Sequence, residues 1–249
     1  MAASKRIQSI ASEIRAFCAE HADEKVVSRY ARFFTEGYDA YGVSSELMQE
    51  HIKKFREACK DELGLDGFLK LGDVLLESGK YEEASFAICF LFPFHGEYTT
   101  ETFQRLGEWL ENGIRNWGHT DVLCSEVLSR FLERGIVRLD DLSPWRQSLS
   151  KWKRRAVPVS MLALLKSRKD YGELLDFLEP LILDDDKFVQ QALGWFLREA
   201  WKKQPKPVEA FLVKWKESAP RRIYQYATEK MTPEKKEKFR RERKAKKGK

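Results

Sequence analysis

The chain's 249 residues suffice for one large domain or two small ones with a buried core. Hydrophobic residues make up 43%, ordinary for a globular protein, while 34% charged residues favour the large solvated surface of amphipathic helices. The longest apolar run, Ala87 to Phe94, contains Pro93 and falls short of the roughly 18–20 residues of a membrane span. The first ten residues carry no signal-peptide pattern, so a cytoplasmic protein is expected.

Taken in chain order, the periodicity is helical almost throughout. Ile7, Ile10, Ala11, Ile14, Phe17 and Cys18 form one stripe. Ser44 predicts the cap of a helix through Leu47, Ile52 and Phe55. Leu69 to Leu76 and Tyr81 to Phe92 form a pair broken at Ser78-Gly79. Thr99 caps a helix carrying Phe103, Leu106, Leu110 and Ile114. The next begins near Thr120 and carries Leu123, Val127, Leu128 and Phe131. Gly135 to Leu139 is the best strand candidate and is too short to convince. Pro158 falls inside a helix over 149–165, which it should bend. Asp170 and Asp186 predict caps for helices through Leu178 and Ala200. One more runs from about Pro207 to Lys216, and a short one starts after Pro220.

Helices of this length, pairing every 35–45 residues or so, predict an all-α, HEAT-like helical-repeat superhelix with a concave face. The expected boundaries are a helical domain over 1–231 and a basic, disordered tail over 232–249. An irregular α-domain shares the same pattern.

The charge is uneven. Residues 233–249 hold ten basic and three acidic residues, a net of +7 against +6 for the whole chain, so the body carries −1. Within the body, residues 146–169 hold eight basic side chains and no acid, a field that attracts polyanions or simply coats a solvated helix. Cys18, Cys59, Cys89 and Cys124 stand 41, 30 and 35 residues apart, with no C-x-x-C, and the four histidines form no metal-ligand spacing. Neither a disulfide scaffold nor a metal site is expected.

All seven tryptophans lie between Trp109 and Trp215. Aromatics among Lys and Arg are what a nucleic-acid surface uses, although the pattern alone is weak. Trp195 falls on the flank of the stripe Val189, Ala192, Leu193, Phe196 and Ala200, beside Gln191, Arg198 and Lys202. It reads as a ligand wall or as a rim tryptophan. Gly194 before it permits close approach by another backbone. In Trp117-Gly118-His119-Thr120-Asp121, Trp117 is expected to end one helix and Gly118 to turn it. Asp121 would then sit in the first turn of the next, where the macrodipole favours an anion. An ordinary helix-start aspartate looks the same.

At these residues the sequence resembles the AlkD-type DNA alkylation repair glycosylases, over roughly residues 25–230. Asn116 to Asp121 is similar to the family segment with a Trp four residues before the catalytic Asp. Trp152-Lys153-Arg154-Arg155-Ala156 resembles the segment ending in an active-site Arg, and Gln191 to Glu199 resembles the A-[IL]-G-W-x-L-R-E helix. Tyr30 to Val43 resembles a family helix and loop, with Phe33 where a Tyr is expected.

The resemblance implies a HEAT-like fold with a concave DNA-binding face and excision of N3- or N7-alkylated purines from duplex DNA. It implies Asp121 as the catalytic carboxylate, Trp117 and Trp195 against the lesion nucleotide, and Arg155 on a phosphate. It also implies a lesion that is not drawn into a deep pocket. No metal or organic cofactor, no membrane and no oligomer is implied; the expected partner is double-stranded DNA with alkylated bases, bound by a monomer. A non-catalytic helical-repeat module binding DNA or protein fits the same tryptophans and Arg155, and an RNA-associated scaffold working through the tail is a third reading.

Overall fold

The computed structural model describes residues 2–242. Of the expected tail, residues 243–249 lie outside the described residues. The fold is all-α: among the described residues there are thirteen α-helices, several short 3-10 or π segments and no strand. The chain divides into two compact units, Met1–Phe131 and Leu132–Lys249.

In the first unit, α1 (Ala2–Glu20) buries the whole stripe from Ile7 to Cys18. Helix α2 (Glu24–Ala31) starts at Asp23, whose carboxylate accepts from the Lys25 amide at 2.7 Å. Helix α3 (Ser45–Glu77) starts at Ser44, which accepts from Leu47 N, and kinks at Gly64. The kink needs φ +55°, a value glycine adopts without steric cost. Helix α4 (Tyr81–Cys89) packs back on α3. Helix α5 (Thr100–Glu108) is capped reciprocally by Thr99 and Thr102, then widens into a π segment, Trp109–Gly113. There the Trp109 ring fills the space a side chain on Gly72 would need, 2.4 Å from an added Cβ. Helix α6 (Trp117–Val122) runs through a second π segment, Leu123–Leu128, into α7 (Ser129–Glu133).

The second unit opens with a 3-10 segment, Leu139–Gln147. The strand candidate at Gly135–Leu139 is no strand; Gly135 turns there with φ +68°. Helix α8 (Lys151–Met161) is capped by Ser150 and includes Pro158. Then come α9 (Gly172–Leu178), α10 (Lys187–Lys203), α11 (Pro205–Trp215), α12 (Arg221–Ala227) and α13 (Pro233–Glu237). Helix α10 is the core of this unit, packed against α8 and α12. Asp186 caps it, accepting from Phe188 N at 2.7 Å and Val189 N at 3.3 Å. Gly194 is where α12 comes close: an added Cβ would lie 2.7 Å from the Ile223 carbonyl and 2.6 Å from Tyr226 Cβ.

The first part of the expected tail differs from the disordered segment its charge suggests. Thr232 caps α13, accepting from Lys235 N, and Phe239 is buried. Arg221 donates to the Phe239 carbonyl at 2.9 Å, and Arg241 to the Ala219 carbonyl at 2.8 Å. One aromatic residue and two backbone-directed guanidinium groups anchor a stretch whose net charge alone reads as solvated.

Candidate functional site

Helix α6 starts at Trp117. Asn116 is its N-cap, with Oδ1 accepting from His119 N at 2.9 Å. Trp117 therefore begins a helix, where the sequence pattern has it ending one, and Gly118 lies inside the first turn. Asp121 sits in the second turn, not the first, so the macrodipole, which fades within one turn, is not what favours its charge. What α6 does provide is an i, i+4 relationship: Trp117 and Asp121 share one half-buried face, while His119 and Thr120 point into the core. A π segment begins two residues after Asp121; such bulges recur at functional sites.

Buried polar groups hold this helix in place. The amide of Asn116 donates to His119 Nδ1 at 2.8 Å, and His119 Nε2 lies 2.9 Å from Ser85 Oγ. Burial pushes the His119 pKa down to about 3, so the ring is neutral at physiological pH. Trp117 Nε1 donates to the Phe33 carbonyl at 3.1 Å, and its ring stacks on Phe34 with centroids 5.6 Å apart.

On α4 two fully buried carboxylates organise the neighbouring loop. Glu82 accepts from the backbone amides of Tyr41 at 2.9 Å, Gly42 at 2.7 Å and Val43 at 3.2 Å. Glu83 pairs with Arg15 at 2.9 Å and accepts from the Tyr41 hydroxyl at 2.9 Å.

The other two candidates belong to the second unit. Arg155 on α8 is 5% exposed, and its Nη1 donates to the Phe188 carbonyl of α10 at 2.6 Å. Trp195 is half-buried on α10, seven residues and two turns along from Phe188, so both lie on one side of that helix. The polar flank of Trp195 is less basic than its sequence suggests. Arg198 pairs with Glu199 at 3.0 Å and with Glu229, and Lys202 pairs with Glu199 at 2.8 Å.

The basic segment 146–169 is likewise partly compensated. Arg154 makes a two-pronged pair with Asp184, at 2.6 and 3.3 Å. Arg168 pairs with Glu173, and Arg146 donates to the Phe177 carbonyl while lying 4.1 Å over that ring. Among the described residues, no three His, Cys, Asp or Glu side chains gather as a metal site would require. No helix of the described residues is long and apolar enough to cross a membrane.

Comparison with known proteins adds the family. The profile of the DNA alkylation repair enzyme family matches residues 14–231. The chain belongs to the DNA alkylation repair enzyme family. Among solved structures it is similar to a predicted DNA alkylation repair enzyme from Enterococcus faecalis, with TM-score 0.74 and 13% identity over 86% of this chain and 98% of that one. It is also similar to AlkD2 from Streptococcus mutans, with TM-score 0.55 and 20% identity over 82% and 97% of the two chains. A third likeness is smu.31 from Streptococcus mutans UA159, with TM-score 0.54 and 21% identity over 74% and 95%. At these identities the likeness is one of fold. No curated protein matches.

The segment Tyr30 to Val43, which the sequence marks only by its resemblance to a family helix and loop, supplies most of the aromatics around Trp117. Tyr30, Phe34, Tyr38 and Tyr81 cluster with it around a cavity of about 480 Å³. The spacing of Tyr30, Phe33, Phe34 and Tyr38 was the available signal: four aromatics within nine residues, too many for one face of a short helix.

Proposed function

We propose that this protein excises N3- or N7-alkylated purines from duplex DNA by hydrolysing the N-glycosidic bond. An N-alkylated purine is already a cation, so it leaves without a general acid. One carboxylate beside the deoxyribose then stabilises the positive charge that develops on the sugar and orients the attacking water. Asp121 takes that role. Trp117 packs beside it on the lesion nucleotide, Trp195 packs against its sugar and backbone, and Arg155 holds a phosphate. The chemistry calls for no metal or organic cofactor, and the protein acts as a cytoplasmic monomer on double-stranded DNA.

The observation that carries this reading is the pairing of Trp117 with Asp121 one turn apart on the half-buried face of α6, in a chain of this repair family. A carboxylate facing a polyanion repels it and needs a chemical reason to be there. The test is release of free base from methylated duplex DNA by purified protein with chelator present. Binding without release is the outcome that favours a non-catalytic module.

A further inference from the structure

We propose that the bend at Ser148 and Leu149 enters the minor groove of duplex DNA, where Leu149 packs against deoxyribose rings and neighbouring lysines reach the phosphates. This rests on the duplex-DNA reading above and adds a contact that the resemblance does not supply. Leu149 is 97% exposed, the most exposed large apolar side chain among the described residues. It lies in the second unit, between the 3-10 segment Leu139–Gln147 and α8.

A lone exposed leucine is ordinary; the way this one is held is not. Arg154 Nη1 donates to the Ser148 carbonyl at 2.8 Å and to the Leu149 carbonyl at 3.2 Å. Asp184 grips the same guanidinium at 2.6 and 3.3 Å, and the two side chains are only 15% and 7% exposed. Asp184 is fixed in turn, accepting from Asp186 N at 2.9 Å. Within the bend, the Ser150 amide donates to Ser148 Oγ at 3.0 Å. A largely buried ion pair thus sets the backbone that presents an apolar side chain to solvent. A side chain presented on a fixed backbone loses little freedom on binding, and taking it out of water favours association.

The charge beside Leu149 says what it meets. Residues 146–169 hold eight basic side chains and no acid. Lys151, two residues on, and Lys187 at the start of α10 place their ammonium groups 5.6 and 4.8 Å from the Phe188 ring centroid. Arg155 donates to the carbonyl of the same Phe188. Three cations gathered on one residue, next to an exposed leucine, match a polyanion with apolar walls. Duplex DNA has that combination where phosphates rim the minor groove and sugars line it. The groove, about 6 Å wide, admits a bend with one side chain, whereas a helix needs the wider major groove. Apolar side chains recur in minor-groove contacts. Packing on sugars leaves every base in the stack and carries no sequence preference.

The experiment is fluorescence-anisotropy titration of an undamaged A·T-rich duplex across a series of salt concentrations. Leu149→Ser should weaken binding roughly tenfold, with a salt slope parallel to that of the wild type, because the lost contact is apolar. Leu149→Met should restore most of the affinity. Lys151→Gln should weaken binding and also flatten the slope by up to about 0.9. Netropsin, which fills the minor groove, should compete with the wild type. Wild-type affinity in Leu149→Ser, no binding by the wild type, or no competition by netropsin overturns the proposal; the first of these leaves Leu149 to an acidic protein partner. Base release from methylated duplex is scored separately. Binding through Leu149 without release sinks the glycosylase reading and keeps the minor-groove contact; release with wild-type binding by Leu149→Ser does the reverse.

Discussion

His119 on α6 and Ser85 on α4 share a hydrogen bond of 2.9 Å that fixes the protonation state of a fully buried imidazole. His119 N donates to Asn116 Oδ1, which leaves the Asn116 amide nitrogen as donor to His119 Nδ1. The ring proton is therefore on Nε2 and goes to Ser85 Oγ, whose own proton goes to the Tyr81 carbonyl at 3.0 Å. A second proton on this ring has no acceptor to meet. The pKa is depressed from 6.5 to about 3, so the folded state holds the neutral form. The stability this contributes is complete above pH 6.5 and is lost as pH falls toward 3, by several kcal/mol in all. Urea denaturation between pH 6.5 and 5, above the range of ordinary carboxylates, should show a falling midpoint in the wild type and a flatter profile in His119→Gln. Parallel profiles would exclude His119 as the source.

Glu82 is the second buried polar anchor. Glu82→Ala leaves the amides of Tyr41, Gly42 and Val43 without their acceptor, and each buried unsatisfied group costs about 1–3 kcal/mol. A loss of about 3 kcal/mol or more is expected in chemical denaturation. A loss under 1 kcal/mol would mean that the loop finds other partners.

Gly194 tests the packing of α10 on α12. A methyl group there meets the Ile223 carbonyl at 2.7 Å, which is backbone and cannot swing away. Gly194→Ala should destabilise by about 1–3 kcal/mol, despite alanine's better helix propensity. An unchanged melting temperature would contradict the close approach.

The C-terminal segment carries both charge and a core residue, Phe239. Deleting 243–249 removes five basic residues and leaves Phe239, Arg221 and Arg241 with their partners. The salt dependence of DNA binding should flatten by up to about 0.9 in log–log slope for each phosphate that is no longer neutralised. Deleting 233–249 should also lower the melting temperature, because Phe239 leaves the core. Equal melting temperatures for the two truncations would remove Phe239 from the fold.

Local signals in the chain are easily read and distant ones poorly. Ser44, Thr99 and Asp186 cap the helices their side chains predict, because an N-cap is settled within three residues. Gly194 is legible as a point of close approach because an absent side chain in an apolar helix has few other uses. The register of α6 is not, since Gly118 resembles a helix stop while Asn116 is the cap. The basic segment 146–169 reads as uncompensated because Asp184 lies 30 residues from Arg154. The aromatic cavity draws on residues from Tyr30 to Trp117, and nothing in local periodicity joins them.

Asp121 carries the central claim, and Asp121→Asn tests it most directly. The substitution keeps size and hydrogen-bonding reach while deleting the charge. The transition state should lose roughly 10²–10³-fold or more in rate, as removal of one preorganised electrostatic interaction does. Binding should hold or improve, because one repulsion with phosphate is gone. In a single-turnover assay on N7-methylguanine duplex, the account predicts base release by the wild type and little or none by an Asn variant that binds the same DNA at least as tightly. Equal release by the two proteins would contradict it.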